Sequence, residues 1–420
     1  MIRHIFAPPA KREHSEDTAK IQTGTQILRI FCVLALVGHL SGAGAMAQEA
    51  PTPSPSAPPA PASGTSELRT TLERNPVVRR LLSNESDGFY PRLGGLTRGS
   101  GLAGGLGYRH RLGGGRRLDL AALGSIRRYA ALSAAATWMS VWQDRVTLRT
   151  TARWSDYPEE DFYGLGHTSQ RRDRATYALR TTRLDTRATA RLTGWLDLGG
   201  GLDRTTLRVA RGEDASYPVV QEQFAGVTLP GLDASPTWLV RSAGLTLHSP
   251  AHRAHPAHGT MARARLEQWD DRTGDNFSFT RVDLDASHVQ PLVPGHAVAL
   301  RAGSSVATPA TGQQAPFHLL PTLGGQDTVR AFSDFRFRDT HAVWLSAEYR
   351  WTLRPSVELA LFGDAGDTRH AWRDLSMRHL RTGMGVGLRV DTGPALQAGV
   401  DVATGGHEGV RLLLLFGPPR

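Results

Sequence analysis

Lysine is almost missing from this sequence. Lys11 and Lys20 are the only two, although lysine and arginine together number 49. The basic excess behind the formal charge of +10 is therefore arginine. An arginine-rich chain can bind nucleic acid, but basic runs are lacking as well. The arginines recur at every second residue, which points to one face of strands, and no nucleic-acid partner is expected. Cysteine is nearly absent. Its single copy, Cys32, lies in an apolar segment near the N-terminus, so the exported chain would carry no thiol, as suits an oxidising compartment. No Leu-x-x-Cys motif precedes it, which argues against lipidation. No apolar run is long and uninterrupted enough for a transmembrane helix, and no helical periodicity offers to cover a sheet. Serines and histidines are present, but no motif couples a Ser/His pair to an orienting group and no carboxylate dyad is evident, so neither an enzyme nor a cofactor is expected. His252, His255 and His258 come close to a ligand spacing, yet no carboxylate or cysteine accompanies them. They read as a solvated loop, and no metal is expected.

What is present begins with export. Ile27 to Leu40 is an apolar run with Arg29 near its start, and Ala45-Met46-Ala47 is a small-x-small cleavage site. Residues 1–47 read as a signal peptide. Its first 26 residues, with Glu13, Glu16 and Asp17, are too long and too acidic for an ordinary leader and suggest a misassigned start codon. Residues 48–66 form a Pro/Ala-rich linker that cannot build a core. Residues 67–88 carry Leu68, Leu72, Val77, Val78, Leu81 and Leu82, interrupted by Pro76. They read as a short periplasmic helical segment, with a loose tether as the alternative.

From residue 89 to 420 the signal is alternation. Arg145, Thr147, Arg149, Thr151 and Arg153 take turns with Val146, Leu148, Thr150, Ala152 and Trp154. Arg183, Asp185, Arg187, Thr189 and Arg191 take turns with Leu184, Thr186, Ala188, Ala190 and Leu192. Arg263, Arg265 and Glu267 alternate with Ala264 and Leu266, and Arg281, Asp283 and Asp285 with Val282 and Leu284. One parity is unusually charged and the other apolar. A closed barrel satisfies both, with apolar residues toward lipid and charges toward a wet lumen. The expectation is an all-β fold: an antiparallel transmembrane β-barrel of about sixteen strands, with a loop inserted in its lumen. Fifteen strand starts fall near 101, 116, 129, 144, 174, 194, 236, 259, 277, 295, 341, 357, 382, 394 and 408, and a sixteenth strand is expected within 205–228. Arg145, Arg149, Arg153, Arg183, Arg187, Arg191, Arg263 and Arg265 would form a basic lumen lining.

The most informative stretch runs from Leu323 to Gly366. Gly324-Gly325 lead to Arg330 on an aromatic-bearing loop, and Glu348 and Asp364 follow on two alternating segments. A guanidinium prefers planar carboxylates. If the intervening turn is centred on Ser356, the two acids lie opposite each other on one face. If it is centred on Leu353–Arg354 they sit about five residues out of register, roughly 17 Å apart. Gly383, Gly385 and Gly387 share one parity, expected to face inward. They either make room for the Arg330 loop or permit the strand to bend.

This stretch resembles the bacterial surface antigen family, the BamA/TamA-like outer-membrane assembly barrels. Val329, Arg330 and Phe332 match three positions of the family's Val-Arg-Gly-Phe loop, and Phe362, Asp364 and Gly366 match its Phe-x-Asp-x-Gly motif. Ala331 departs, standing where the family has glycine. A positive φ there would strain a residue with a Cβ. Asp161 to Gly166 (DFYGLG) and the turn before residue 259 also resemble family segments, and Phe416 resembles its terminal aromatic. The resemblance implies that Arg330, Phe332, Glu348, Phe362, Asp364 and Gly366 lock a loop into the lumen. It covers the barrel only, since residues 48–88 leave no room for a polypeptide-transport-associated domain. It further implies a non-enzymatic outer-membrane protein that assists insertion or translocation of polypeptides. Expected partners are outer-membrane lipids and lipopolysaccharide, unfolded polypeptide clients and a periplasmic protein. The alternatives are a passive anion-selective pore, favoured by the inward arginines, and a structural or lipid-organising barrel.

Overall fold

The computed structural model describes residues 87–417 apart from 94–95, 98, 143–144, 255–257, 355, 392–396 and 407. All described residues belong to one compact unit of the chain. The expected signal peptide and linker, the helical segment up to residue 86, Cys32, both lysines and His255 lie outside the described residues.

Among the described residues eighteen strands follow one another. The first seven are β1 (Gly88–Leu93), β2 (Ala103–Gly113), β3 (Arg116–Ser125), β4 (Ala130–Val141), β5 (Val146–Phe162), β6 (Ala175–Arg191) and β7 (Leu196–Arg211). Next come β8 (Thr237–His248), β9 (Gly259–Asp271), β10 (Phe279–Val293) and β11 (His296–Pro309). Two short strands, β12 (Thr322–Leu323) and β13 (Phe337–Arg338), pair only with each other inside the long connection that follows β11. The last five are β14 (His341–Arg354), β15 (Val357–Arg369), β16 (Arg381–Asp391), β17 (Gln397–Thr404) and β18 (Val410–Gly417). Sixteen of them form a single sheet in sequence order, antiparallel throughout.

Alternation along each strand sorts side chains onto two faces. On β14, Ser346, Glu348 and Arg350 are buried while Leu345 and Tyr349 are exposed. On β15, Ala360, Phe362 and Asp364 are buried and Leu361 is exposed. The outer face is an apolar surface open to its surroundings, including Leu132, Leu184, Leu202, Met384, Val386, Leu388 and Leu414. The inner face carries the charges and curls around residues 310–340. The Arg336 guanidinium shows how far it curls. It donates to Glu408 Oε1 just before β18 (2.6 Å) and to Ser169 Oγ after β5 (3.0 Å). Three apolar clusters fill the space between loop and sheet, built around Trp238 and Trp269, around Leu323 and Phe362, and around Phe162 and Phe317.

Two expectations need correction. The sheet does not close into a barrel: among the described residues β1 pairs only with β2 and β18 only with β17. Alternation reports which face of a strand is buried, and it is the same in an open and a closed sheet. Both free strands have the character of edges. β1 is six residues long with Pro91 in its interior, where there is no N–H to donate, and β18 has eight residues. The sixteenth strand is also not within 205–228. Residues up to Arg211 belong to the long β7, and β1 supplies the remaining strand.

Candidate functional site

The loop from Leu323 to Phe337 folds on a short hydrogen-bonded frame. Gly324 and Gly325 have φ of +114° and +87°, a region that excludes most side chains. A Cβ on Gly324 would strike the carbonyl oxygen of Ser333, and one on Gly325 the Asp334 carboxylate. Thr328 Oγ1 accepts from the Gly324 amide (2.8 Å), and the Gly325 amide donates to the Phe332 carbonyl (2.9 Å). This frame aims Arg330 at the sheet.

The Arg330 guanidinium uses all three nitrogens. Nε and one terminal nitrogen grip Asp364 as a fork (2.9 and 2.8 Å). The second terminal nitrogen donates to Glu348 Oε2 (2.9 Å) and Asp401 Oδ2 (3.2 Å), while the first, besides Asp364, donates to Ser346 Oγ (3.1 Å). The Arg330 backbone amide also donates to Asp364 (3.0 Å). The guanidinium lies over the Phe362 ring, 3.4 Å from its centroid. Burial works against the Arg330 charge, but the hydrogen bonds and attraction of Asp364 and Glu348 outweigh it, so its pKa shifts upward. Glu348 is shared: Arg389 binds both its oxygens (2.5 and 2.7 Å) and Arg350 donates to Oε1 (2.7 Å).

The register between β14 and β15 follows neither turn considered from sequence. Asp364 stands opposite Ser346, and Glu348 opposite Phe362. The two acids are one same-face step apart, diagonal across the ladder, and one guanidinium spans them. Phe332 is buried against Phe337, with ring centroids 5.2 Å apart, and its carbonyl accepts from Arg411 of β18. Gly366 admits Leu323, whose methyl would stand 2.6 Å from an added Cβ. The row on β16 serves three different neighbours. Gly383 leaves room for the Ala331 methyl (2.5 Å from an added Cβ), Gly385 for the Phe362 ring, and Gly387 for the Asp401 carboxylate. Ala331 is fully buried and is not among the residues with positive φ. The non-glycine residue with positive φ in this loop is Phe335, φ +58°.

Asp401, Arg389 and Arg350 were not singled out from sequence, although Arg389 shares the parity of the three glycines. The basic residues expected to line the lumen divide into two groups. Arg149 and Arg153 stand opposite Arg187 and Arg183 on the inner face. There Arg183 pairs with Asp203 and Arg187 with Asp185 (3.5 Å). Arg263 and Arg265 stand opposite Asp285 and Asp283, and Arg265 bonds Glu267 at 2.6 Å. Arg145 lies just before β5 and Arg191 ends β6, both exposed. None of these eight touches Arg330. His252 stacks on His248 (5.4 Å between centroids), and among the described residues no group of three or more His, Cys, Asp or Glu could hold a metal.

A family model described as the Omp85 superfamily domain matches residues 111–404. The chain belongs to the Omp85 superfamily. Solved structures of similar fold include BamA from Haemophilus ducreyi lacking POTRA domains 1–3, with 17% identity, a TM-score of 0.57, and 79% of this chain and 70% of that one covered. CdiB from Escherichia coli shares 16% identity at a TM-score of 0.52, covering 80% of this chain and 62% of that one. CdiB from Acinetobacter baumannii shares 9% at 0.50, covering 76% and 56%. At these identities the likeness shows the fold. No curated protein matches this chain. Membership of the Omp85 superfamily places the protein at the bacterial outer membrane, with a transport or insertion role at the level of the family.

Proposed function

We propose that this Omp85 protein assists the insertion or translocation of polypeptides at the outer membrane, and that the Arg330 loop is the lock that fixes its working geometry. The observation that carries this reading is the position of the lock. Arg330 ties the loop to β14, β15 and β17, and Arg411 ties the same loop to β18, whose outer edge has no partner among the described residues. An unpaired edge offers a row of N–H and C=O groups on which an extended client segment can add as a strand. Beside that edge the lock holds the neighbouring strands rigid. Lipids and lipopolysaccharide would meet the apolar outer face, and a periplasmic partner would deliver the client.

In-cell photocrosslinking at Leu412 of β18 and Phe89 of β1 tests this. Adducts with unfolded outer-membrane polypeptides are expected, and fewer of them with Arg330→Ala. A complete lack of client adducts at both edges would refute the assignment. The inner-face arginines favour a passive anion pore as the second reading. A large, steady, anion-selective conductance from the purified protein would support it, whereas a loop filling the inner face predicts small, flickering currents.

A further inference from the structure

The outer face carries a charge arrangement that polypeptide handling does not use. Arg204 lies midway along β7 and faces away from the loop. Its row across the sheet continues through Leu184, Ala152, Ala134 and Leu120 to Tyr108. Short alanines in that row leave a groove of about 740 Å³, with Trp154 on one flank and Arg204 at its end. Arg208 follows on the same face of β7, directly opposite Arg180, which is paired with Asp156. Among the described residues Arg204 and Arg208 have no acidic partner, and both are exposed. An uncompensated charge on a lipid-facing surface is unfavourable, and like charges directly opposite each other repel. Both problems disappear if an anion sits on the pair.

The level of the pair fits a headgroup. Trp138 lies on the outer surface near the end with short turns, Trp142 stands exposed in the turn after β4, and Trp154 lies on that surface one row above Arg204. Such aromatics sit at membrane interfaces. The long connections, 163–174, 212–236 and 310–340, all lie at the end toward which Arg208 points, and long loops face the exterior in outer-membrane proteins. The arginines therefore stand at the outer leaflet.

We propose that this face is a binding site for lipopolysaccharide, with a lipid A phosphate on Arg204 and Arg208 and one acyl chain along the alanine groove. The proposal rests on the outer-membrane location and not on client handling, so lipid binding and the crosslinks above can fail separately. The test uses the full chain in phosphatidylcholine nanodiscs, titrated with deep-rough lipopolysaccharide and followed by native mass spectrometry. Saturable binding is expected, weakened at least tenfold by R204Q/R208Q and unchanged by R272Q in an exposed loop. A152W, which fills the groove and keeps both charges, should weaken binding as well. Wild-type affinity in both R204Q/R208Q and A152W would overturn the site. Equal competition by phosphatidylglycerol would overturn the assignment to lipid A.

Discussion

Arg330→Ala removes five side-chain hydrogen bonds and one cation–π contact in a single step. The consequences differ among its acids. Glu348 keeps Arg389 and Arg350. Among the described residues, Asp364, whose side chain is fully buried, keeps only the backbone amide of residue 330, and Asp401 loses the one donor to its Oδ2. Removing one member of a buried ion pair leaves an uncompensated charge and typically costs about 3–5 kcal/mol. Solvent screening does not discount this, because the Arg330 side chain is only 8% exposed. Arg330→Lys should recover little, since an ammonium cannot form the two-nitrogen fork on Asp364. The assay is urea unfolding in detergent followed by fluorescence of Trp344, which packs against the cluster around Leu323 and Phe362. A double-mutant cycle with Asp364→Ala should show coupling of about 1–3 kcal/mol. Strictly additive effects would refute the reasoning, because they would mean that the two groups do not interact.

Further expectations follow from the packing and from one histidine. Gly383→Ala should destabilise by about 1–3 kcal/mol through overpacking, and Ala331→Gly in that background should restore part of the loss. No restoration in urea titrations would mean the two positions do not face each other. Gly385→Leu, directed into the Phe362 ring and the Val402 carbonyl, should abolish the heat-modifiable shift on gels. An unchanged shift would rule out the tight approach. Both ring nitrogens of His318 are sealed from solvent without a hydrogen bond, and burial with nearby Arg338 pushes its pKa from 6.5 down to about 3. The unfolded chain takes up this proton near 6.5 and the folded chain does not. Stability is therefore full above about pH 6.5 and falls by about 1.4 kcal/mol per unit toward pH 3. His318→Gln should flatten that slope in unfolding midpoints measured across the range, and an unaltered slope would assign it to other groups.

Much of the sheet was legible in sequence because period two is a local property. The alternation along 145–154 and 183–192 assigns faces without any knowledge of partners. What escaped depended on distance. Whether β1 meets β18 is decided between residues more than 300 apart, and no run of either strand records it. β1 itself was hidden because six residues with an internal proline give little alternation to read. The loop motif pointed to Glu348 and Asp364, but Asp401 lies 71 residues from Arg330 and carries no local mark. Its position became visible only when Gly387 was found opposite it. The diagonal relation of the two acids turned on the centre of a single hairpin, which composition did not determine.

The most direct measurement is amide hydrogen exchange across residues 323–338 of the full chain in outer-membrane vesicles, comparing the wild type with Arg330→Ala. If this guanidinium pins the loop to the last strands, those amides are protected in the wild type. They should exchange about a hundredfold or more faster in the variant, as a loss of about 3 kcal/mol requires. Equal rates in the two proteins would contradict the account.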